Sequence, residues 1–418
     1  MDKFSPIQNR YIEKSKKHNN FRFESKKNII IFDLNLKLLY LCKMIIYRTI
    51  QHSIQQKLFK GKAILLMGPR QVGKTTLLRE ITKPFEQDTI WLTGDDLNDS
   101  ERLTNATLPI LKTLVGSRKI IVIDEAQRIK NIGLTIKLLV DHIKTVQVIA
   151  TGSSSLELAN SVNEPLTGRK YEFLLFPFSF SELANHHNLF QEMGSLENRL
   201  IYGSYPEVVI EQGEERERLA LLSDSYLYRD LLSYDQIKKP SLLKTLLKAL
   251  ALQMGNEVSY NELSKIVGAD KKTIENYIDL LEKAFIVYRL TAYSGNVRNE
   301  LKKSKKIYFF DNGIRNAIIG NFAPLENRQD KGALWENYLI SERWKRNCYQ
   351  NFYGQRYFWR TTQQQEIDYL EEIDGKIHAY EFKWNEKNNV RFSATFLNAY
   401  PVVEAKQIHR KNYEEFLG

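Results

Sequence analysis

The stretch Gly68-Pro69-Arg70-Gln71-Val72-Gly73-Lys74-Thr75 fills the spacing G-x-x-x-x-G-K-[ST]. An apolar run, Ala63 to Met67, precedes it, and a helix-forming stretch follows from Thr75 to Ile81. A glycine-rich turn between a strand and a helix wraps phosphates, because the backbone N–H groups at the helix start form an anion nest. The pattern therefore predicts a phosphate-binding loop in a parallel α/β core.

The residues of this loop have separate expected roles. Lys74 is expected to reach the β and γ phosphates of a nucleotide, and the Thr75 hydroxyl is expected to bind Mg²⁺. A chance match in a strand-to-helix turn is the alternative, and the flanking strand and helix argue against it. We predict that the nucleotide is ATP and that it is bound by Gly68, Pro69, Arg70, Gln71, Val72, Gly73, Lys74, Thr75 and Thr76.

A second segment ends in two carboxylates. Ile120 to Ile123 is a short β-branched run, and Asp124 and Glu125 follow it directly. Such a run is typical of a buried parallel strand, whose carboxyl end lies at the ligand-binding edge of a sheet. We expect Asp124 to hold Mg²⁺ through a water molecule and Glu125 to polarise the attacking water. Capping of the next helix is the alternative role for Glu125, but its pairing with Asp124 favours ATP hydrolysis.

A third apolar strand, Val146 to Ala150, runs into a hydroxyl-rich stretch. A hydroxyl at this strand end is expected to sense the γ-phosphate. We assign Ser153, although the sequence does not decide between the hydroxyls. Phosphoryl transfer also needs a cation near the developing charge. Arg169 is the candidate, either in its own chain or on a neighbouring one, and a solvated basic turn is the alternative.

The composition indicates the broad class of protein. With 418 residues, 43% of them hydrophobic and 27% charged, the chain is typical of a soluble globular protein of several domains. Its two cysteines, Cys42 and Cys348, lie far apart, so neither a disulfide framework nor a zinc site is indicated. A reducing, cytoplasmic location is expected.

The first 43 residues differ from the rest of the chain. They carry +6 of the formal net charge of +11, which weakens the composition argument for a nucleic-acid partner. Asn28 to Tyr47 is apolar, but charged and amide residues interrupt it, so no membrane span is expected. Residues 1–43 are interpreted as a disordered basic tail or as an upstream mis-start, with Met44 as the natural beginning.

The remaining chain divides into four regions. Residues 44–185 hold the nucleotide core, and residues 186–240 are expected to form a lid-like helical segment. In residues 241–310 the order helix, turn, helix, strand pair is typical of a winged helix, and residues 311–418 form a further α/β domain. The second helix of the winged helix carries residues that could contact DNA, with protein packing as the alternative role: Lys271, Lys272, Thr273 and Asn276.

A second constellation of charged residues lies in the last region. Glu336 belongs to an amphipathic helix, Asp368 to a short strand, and Glu381 and Lys383 to one face of a further strand. Three carboxylates and a lysine could hold Mg²⁺ and activate water against a phosphodiester. The spacing of Asp368 and Glu381-x-Lys383 is similar to the PD-(D/E)xK nuclease fold, with Glu336 as its helical acid. A surface hairpin with an ion pair is the alternative.

From about Met44 to the C-terminus, the chain resembles prokaryotic P-loop ATPases of the AAA+ class that carry a C-terminal DUF4143 region. The resemblance implies ATP binding, a winged helix and a restriction-endonuclease-like terminal domain. Lys74, Thr75, Asp124 and Glu125 match the pattern closely, and Ser153 matches it less closely, as does Arg169. Six segments carry the resemblance: GPRQVGKTT (68–76), VIDEAQ (122–127), ATGSSS (150–155), YGSYPEV (202–208), FFDNGIRN (309–316) and WENYL (335–339).

Two classes of function are compatible with these features. In the first, ATP binding and hydrolysis control a nucleic-acid-binding or nuclease module. In the second, the ATPase is a switch that acts on protein partners, and the nuclease-like domain is only a scaffold. The pattern Glu381-x-Lys383 favours the first class, and an oligomer is compatible with both.

The first 43 residues, which we call the leader, give the first testable prediction. Residues 1–43 have high charge and no capping or turn chemistry that would organise them. A chain that begins at Met44 should therefore keep the thermal midpoint and the ATP hydrolysis rate of the full chain. Insolubility or inactivity of the shortened chain would show that the leader is structural.

Overall fold

The computed structural model describes residues 45–153, 166–223, 239–294, 304–361, 363–387 and 391–418. The described residues from Arg48 to Gly418 belong to one compact unit. The expectations for residues 1–43 lie outside the described part of the chain.

Five parallel strands form the first sheet, in the order β2-β3-β4-β1-β5. Strands β1, β3 and β4 lie inside the sheet and are almost entirely buried, as expected for continuous apolar runs. The parallel α/β core predicted for the first region is confirmed. The strands are β1 (Ala63–Met67), β2 (Thr89–Thr93), β3 (Ile120–Asp124), β4 (Gln147–Gly152) and β5 (Lys170–Leu174).

Helices precede β1 and connect the strands of this sheet. They are α1 (Ile50–Lys57), α2 (Lys74–Thr82), α3 (Leu97–Leu103), α4 (Leu108–Val115) and α5 (Ile132–His142). Because all five strands run in the same direction, their carboxyl ends lie at one edge of the sheet. The residues that follow β1, β3 and β4 therefore meet there.

The chain after β5 is helical. Helix α6 begins with a capping box, in which the Ser179 hydroxyl accepts the N–H of Glu182 and the Glu182 carboxylate accepts the N–H of Ser179. The described helices of this segment are α6 (Phe180–His187), α7 (Leu189–Gly194), α8 (Leu196–Tyr202), α9 (Pro206–Ile210) and α10 (Glu215–Leu222).

A seven-stranded mixed sheet occupies the C-terminal half, in the order β12-β11-β10-β9-β7-β8-β6. The pairs β7–β9 and β11–β12 are parallel, and the other neighbouring pairs are antiparallel. A domain boundary at residue 310 would therefore cut through one sheet. The strands are β6 (Glu257–Val258), β7 (Val287–Ala292), β8 (Lys305–Phe309), β9 (Gln355–Arg360), β10 (Glu366–Ile373), β11 (Lys376–Phe382) and β12 (Val402–Ile408).

The helices and strands predicted between residues 241 and 310 occur in the predicted order. Ser259 caps one helix by accepting the N–H of Glu262, and Asp270 caps the next by accepting the N–H of Thr273. None of the described helices is both long and apolar enough to cross a membrane. The described helices of the C-terminal half are α11 (Pro240–Leu252), α12 (Tyr260–Val267), α13 (Lys271–Lys283), α14 (Asn312–Ile319), α15 (Lys331–Tyr349), α16 (Ala394–Ala399) and α17 (Tyr413–Leu417).

Candidate functional site

The phosphate loop joins β1 to α2 and has a positive φ at three positions. Gly68, Gln71 and Gly73 have φ values of 153°, 57° and 90°. A Cβ atom at Gly68 would lie 2.0 Å from the carbonyl oxygen of Leu175, so only glycine fits there. Gly73 precedes α2 directly, in a left-handed conformation that glycine adopts without steric cost.

Lys74 is the first residue of α2, and its side chain folds back over the loop. Its Nζ donates to the carbonyl oxygens of Gly68 and Pro69, both at 2.8 Å, and the residue is only 5% exposed. A buried ammonium beside a glycine loop and a helix N-terminus fits the β and γ phosphates of a nucleotide. The residues of the loop therefore suit the ligand that the sequence predicts.

Thr75 and Asp124 meet at the carboxyl edge of the sheet, although they are 49 positions apart. The Thr75 hydroxyl donates to Asp124 Oδ2 at 2.8 Å. Thr151, at the end of β4, donates to Asp124 Oδ1 and accepts the N–H of Glu125 at 3.0 Å. Hydroxyl and carboxylate oxygens are the ligands that Mg²⁺ prefers. The pair predicted to hold Mg²⁺ is thus assembled, and Thr151 orients its carboxylate.

Glu125 and Ser153 are linked by a residue to which the sequence analysis gave no role. Gln127 Nε2 donates to Glu125 Oε2 at 2.5 Å and to Ser153 Oγ at 3.0 Å. The predicted catalytic carboxylate therefore shares an amide with the predicted sensor hydroxyl. The available signal for Gln127 was its place in VIDEAQ, two positions after Glu125.

Arg169 lies at the opposite edge of the sheet from the phosphate loop. It precedes β5, whose first residue, Lys170, pairs with Ala63 at the start of β1. Five strand residues at about 3.3 Å each separate the two edges by roughly 16 Å. Arg169 Nε instead contacts Asp141 Oδ1 at 2.6 Å. Its assignment to the nucleotide site of its own chain is therefore corrected, and its action on a neighbouring chain stays a prediction.

Arg48 supports the phosphate loop from just before α1. Its buried guanidinium donates to the Val72 carbonyl at 2.7 Å, to the Phe176 carbonyl at 2.5 Å and to Glu182 Oε1 at 3.1 Å. Val72 belongs to the loop, so a charge-assisted hydrogen bond fixes the loop backbone. The three partners are 24, 128 and 134 positions away, so no local pattern could have identified Arg48.

The segment Leu175 to Glu182 leads from β5 to α6, and we name it the exit segment. Its backbone contacts both the phosphate loop, through Leu175 and Gly68, and helix α15 of the C-terminal half. The α15 residues that make the second contact are Glu342, Lys345 and Tyr349. They are three and four positions apart, so they share one face of the helix. Three hydrogen bonds make this contact: Phe176 N–H to Tyr349 Oη (3.2 Å), Phe180 N–H to Glu342 Oε2 (2.7 Å) and Lys345 Nζ to the Phe178 carbonyl (3.0 Å).

The C-terminal residues singled out by the sequence also come together. Strands β10 and β11 pair antiparallel across Asp374 and Gly375, which both have positive φ, as a tight hairpin turn requires. Lys383 Nζ lies 3.1 Å from Glu381 Oε2 and 4.0 Å from Asp368 Oδ2. The strands that carry Asp368 and Glu381 are therefore neighbours, and the two carboxylates face one ammonium.

A second lysine, Lys306 of β8, enters this cluster from the other side. Its Nζ lies 3.1 Å from Glu336 Oε1 and 2.5 Å from Glu366 Oε1, and its side chain is 3% exposed. The hydroxyl of Tyr308 donates to Glu336 at 2.6 Å. Burial raises the pKa of Glu336, and the charge of Asp368 raises it further while Lys306 opposes the shift.

The shared Mg²⁺ site that the sequence predicts at these residues is not shown by the geometry, and it stays a prediction. Among the described residues, no group of three or more His, Cys, Asp or Glu side chains has an arrangement that could hold a metal ion. Glu336, Asp368 and Glu381 are close, and the ammonium groups of Lys306 and Lys383 offset part of their charge, since Lys306 also contacts Glu366. The burial of Glu381 and the charge of Asp368 raise the pKa of Glu381.

The residues proposed to contact DNA lie at the start of α13. Lys271, Lys272 and Asn276 are exposed. Thr273 is instead occupied by the helix cap, because its hydroxyl donates to Asp270 Oδ2 at 2.6 Å. Lys272 forms a loose ion pair with Glu275 at 3.8 Å, which contributes little at an exposed position.

Comparison with protein families divides the chain into three matched regions. Residues 60–184 match the model of an AAA domain. Residues 193–325 match a domain of unknown function, DUF8612, and residues 331–414 match a domain of unknown function, DUF4143.

Two relatives cover most of the chain. An uncharacterized protein of Mycobacterium tuberculosis is 28% identical over 350 residues, which is 82% of this chain and 75% of the relative. An uncharacterized protein of Methanocaldococcus jannaschii is 25% identical over 348 residues, or 77% of this chain and 75% of the relative.

A solved structure also aligns with the chain. The Walker-type ATPase of Pyrococcus abyssi is 16% identical, with a TM-score of 0.46, over 66% of this chain and 96% of that chain. The AAA-domain match coincides with the parallel sheet and the loop described above, and such domains use a nucleotide and typically Mg²⁺. The chain therefore carries a P-loop ATPase domain of the AAA type in residues 60–184 and a DUF4143 domain in residues 331–414.

Proposed function

We propose that this protein binds and hydrolyses ATP with Mg²⁺ and that its nucleotide state controls a nucleic-acid-binding module in its C-terminal half. The contact between Thr75 and Asp124, beside the buried ammonium of Lys74, carries the proposal. It brings a phosphate-binding cation and two oxygen ligands for Mg²⁺ to one edge of the sheet.

Each residue of the nucleotide site has a separate role in hydrolysis. Lys74 binds the β and γ phosphates, and Thr75 and Asp124 hold the metal ion, which offsets the charge that develops on the phosphates. Glu125 orients the attacking water and accepts its proton. Gln127 holds the Glu125 carboxylate against Ser153 until the nucleotide binds, because one amide contacts both side chains.

The exit segment supports the second half of the proposal. Arg48 bonds the loop residue Val72 and the exit-segment residue Phe176 with one guanidinium. The N–H of Phe176 is bonded in turn to Tyr349 at the end of α15. A change in the loop backbone on ATP binding would therefore be felt by a helix that also carries Glu336 of the C-terminal cluster.

Binding of nucleic acid, rather than its cleavage, is the form of the proposal that the charge arrangement favours. Lys306 and Lys383 already form ion pairs with the acids that would hold a catalytic metal ion. The same observation favours the second candidate function, an ATP-dependent switch on a protein partner with the nuclease-like domain as a scaffold. Incubation of plasmid, single-stranded DNA and RNA with Mg²⁺ or Mn²⁺, with and without ATP, separates the cases. Metal-dependent cleavage would contradict the binding-only form.

Substitutions at the nucleotide site test the ATPase proposal. Lys74→Ala removes the cation that faces the phosphates and should weaken ATP binding by at least about tenfold. Glu125→Gln keeps the size of the side chain and should leave binding intact while turnover falls roughly 10²-fold or more. Equilibrium binding of a fluorescent ATP analogue and steady-state phosphate release measure the two effects. Equal turnover in wild type and Glu125→Gln would refute the role of Glu125.

The coupling route is tested by removing one hydroxyl. In a Glu125→Gln background, ATP with Mg²⁺ should slow amide hydrogen exchange in the exit segment and in the last turns of α15. The expected slowing is roughly fivefold or more, the equivalent of one hydrogen bond of about 1 kcal/mol. Tyr349→Phe should abolish the slowing in α15 and preserve it in the phosphate loop.

Tyr353→Phe is the matched control for this experiment, because Tyr353 is 93% exposed and lies just beyond α15. It should behave as wild type. If ATP slows exchange in α15 equally with and without the Tyr349 hydroxyl, or has no effect on α15 in the wild type, the proposed route is wrong.

Lys306 tests the charge compensation in the C-terminal cluster. Lys306→Met leaves Glu336 and Glu366 without their buried cation and should lower the free energy of unfolding by about 3–5 kcal/mol. Because the pKa of Glu336 is already raised, protonation at lower pH removes the unpaired charge. The loss should therefore be larger at about pH 8.5 than at about pH 6.

Lys305→Met is the control, since Lys305 precedes Lys306 on β8 and points to the other face of the strand. Adding Glu336→Gln to Lys306→Met should restore part of the lost stability. Urea unfolding at the two pH values measures all four proteins. A loss from Lys306→Met no larger than that from Lys305→Met would show that the cluster does not depend on the lysine.

A further inference from the structure

We propose that the cleft around Trp384 binds single-stranded nucleic acid. This inference rests on the nucleic-acid part of the proposed function and gives it a location. The cleft has a volume of about 430 Å³, which lies within the roughly 300–1,000 Å³ of small-ligand sites and suits about one nucleotide at a time. Its lining residues come from the loop after β11 and the loop after β12: Trp384, Asn385, Glu386, Lys387, Arg410 and Lys411.

Trp384 is a fixed ring in this cleft. Its indole packs edge to face on Trp335, with ring centroids 5.5 Å apart. Trp335 is 1% exposed and packs in turn on Tyr413 at 5.5 Å. A partly exposed indole that the core holds in place offers contact area to a base with little loss of side-chain entropy.

Cations surround this ring. The guanidinium carbon of Arg410 lies 4.7 Å from the ring centroid of Trp384, and Lys331 Nζ lies 5.7 Å from it. Of the described lining residues, three are basic and one is acidic, and that acid, Glu386, is neutralised by Lys411 at 2.8 Å. The lining therefore keeps an excess of positive charge, which matches the backbone of a nucleic acid.

The cleft and the charged cluster are adjacent in the sequence. Lys383 and Trp384 are consecutive, so one loop carries both the ammonium that faces Asp368 and Glu381 and the ring of the cleft. The cleft and the cluster are therefore joined through this loop.

The size and chemistry of the cleft favour a single strand over other polyanions. A duplex keeps its bases stacked inside, so it could use the cations but not the ring of Trp384. An acidic peptide could also pair with the cations, but it brings no planar base to the indole. Basic side chains beside an aromatic ring are the arrangement that binds single strands with little sequence preference.

Fluorescence anisotropy with the full chain tests the proposal. The probes are short labelled oligothymidylate and oligouridylate, with a labelled duplex of the same length for comparison and polyglutamate as a competitor. Arg410→Ala and Trp384→Leu should each weaken single-strand binding by about tenfold, and Leu preserves apolar packing on Trp335. Arg410→Ala should also reduce the salt dependence by about one phosphate contact, whereas Trp384→Leu should leave it unchanged.

Lys376→Ala is the matched control, because Lys376 is an exposed lysine at the opposite end of β11 from Lys383. It should bind as wild type does. If Lys376→Ala and Arg410→Ala lowered the affinity for single strands equally, the effect would come from the overall positive charge of the protein. That result would overturn the proposal. The proposal would also be overturned if the duplex bound with equal affinity, or if polyglutamate at equal charge displaced the oligonucleotide. It would likewise be overturned if Trp384→Leu had no effect on binding.

Failure of this inference is distinguishable from failure of the ATPase proposal. If the wild type hydrolyses ATP but its binding of oligonucleotides is indifferent to Arg410 and Trp384, only the location is wrong. If the wild type hydrolyses no ATP but binds single strands with the expected sensitivity to Arg410, the cleft stands and the nucleotide control fails.

Discussion

One buried guanidinium holds together the parts of this structure on which the proposed function depends. A buried charge is costly unless it is paired and hydrogen-bonded, and Arg48 meets both conditions. Its partners are a carbonyl of the phosphate loop, a carbonyl of the exit segment and the carboxylate of Glu182. Glu182 in turn accepts the N–H groups of Thr49 and Ser179. The loop, the exit segment and the start of α6 therefore cannot shift independently without leaving a polar group unsatisfied.

Helix α15 extends this constraint into the C-terminal half. It bonds the exit segment through one face and reaches the charged cluster through Glu336. The 13 positions from Glu336 to Tyr349 correspond to about 20 Å of helix, at a rise of about 1.5 Å per residue. Because a packed helix moves as a unit, a small displacement at Tyr349 would reach Glu336 without any change inside the helix. This is the physical reason to expect coupling between the two sites.

The parts of the structure that could be predicted from the sequence are those with local signals. The phosphate loop follows from the spacing of two glycines and Lys74, and the β10–β11 hairpin follows from Asp374 and Gly375. Asp124 was found because the strand before it is continuously apolar. Each of these signals lies within about ten residues of the feature that it predicts.

The parts that could not be predicted depend on partners distant in sequence. Arg48 and Lys306 carry no motif, and their roles come from groups that the fold brings beside them. Arg169 is an error of the opposite kind, in which closeness in sequence suggested closeness in space. It is near the nucleotide-binding segments in sequence, but it lies at the far edge of the sheet. The continuity of the second sheet across residue 310 was also hidden, because sequence patterns identify strands but not their neighbours.

Lys306 changes how the C-terminal cluster is understood, because residue types alone would give a metal site. Three carboxylates that share a buried space repel one another, and either a metal ion or fixed cations must offset the repulsion. In this fold two lysines supply the offset, one from β8 and one beside Trp384. Lys306 lies between Glu336 and Glu366, and Lys383 lies between Asp368 and Glu381, so each ammonium offsets part of the charge of two carboxylates. Two ammonium groups among four carboxylates leave an excess of negative charge in a buried space, and proton uptake relieves it: burial and the charge of Asp368 raise the pKa of both Glu336 and Glu381.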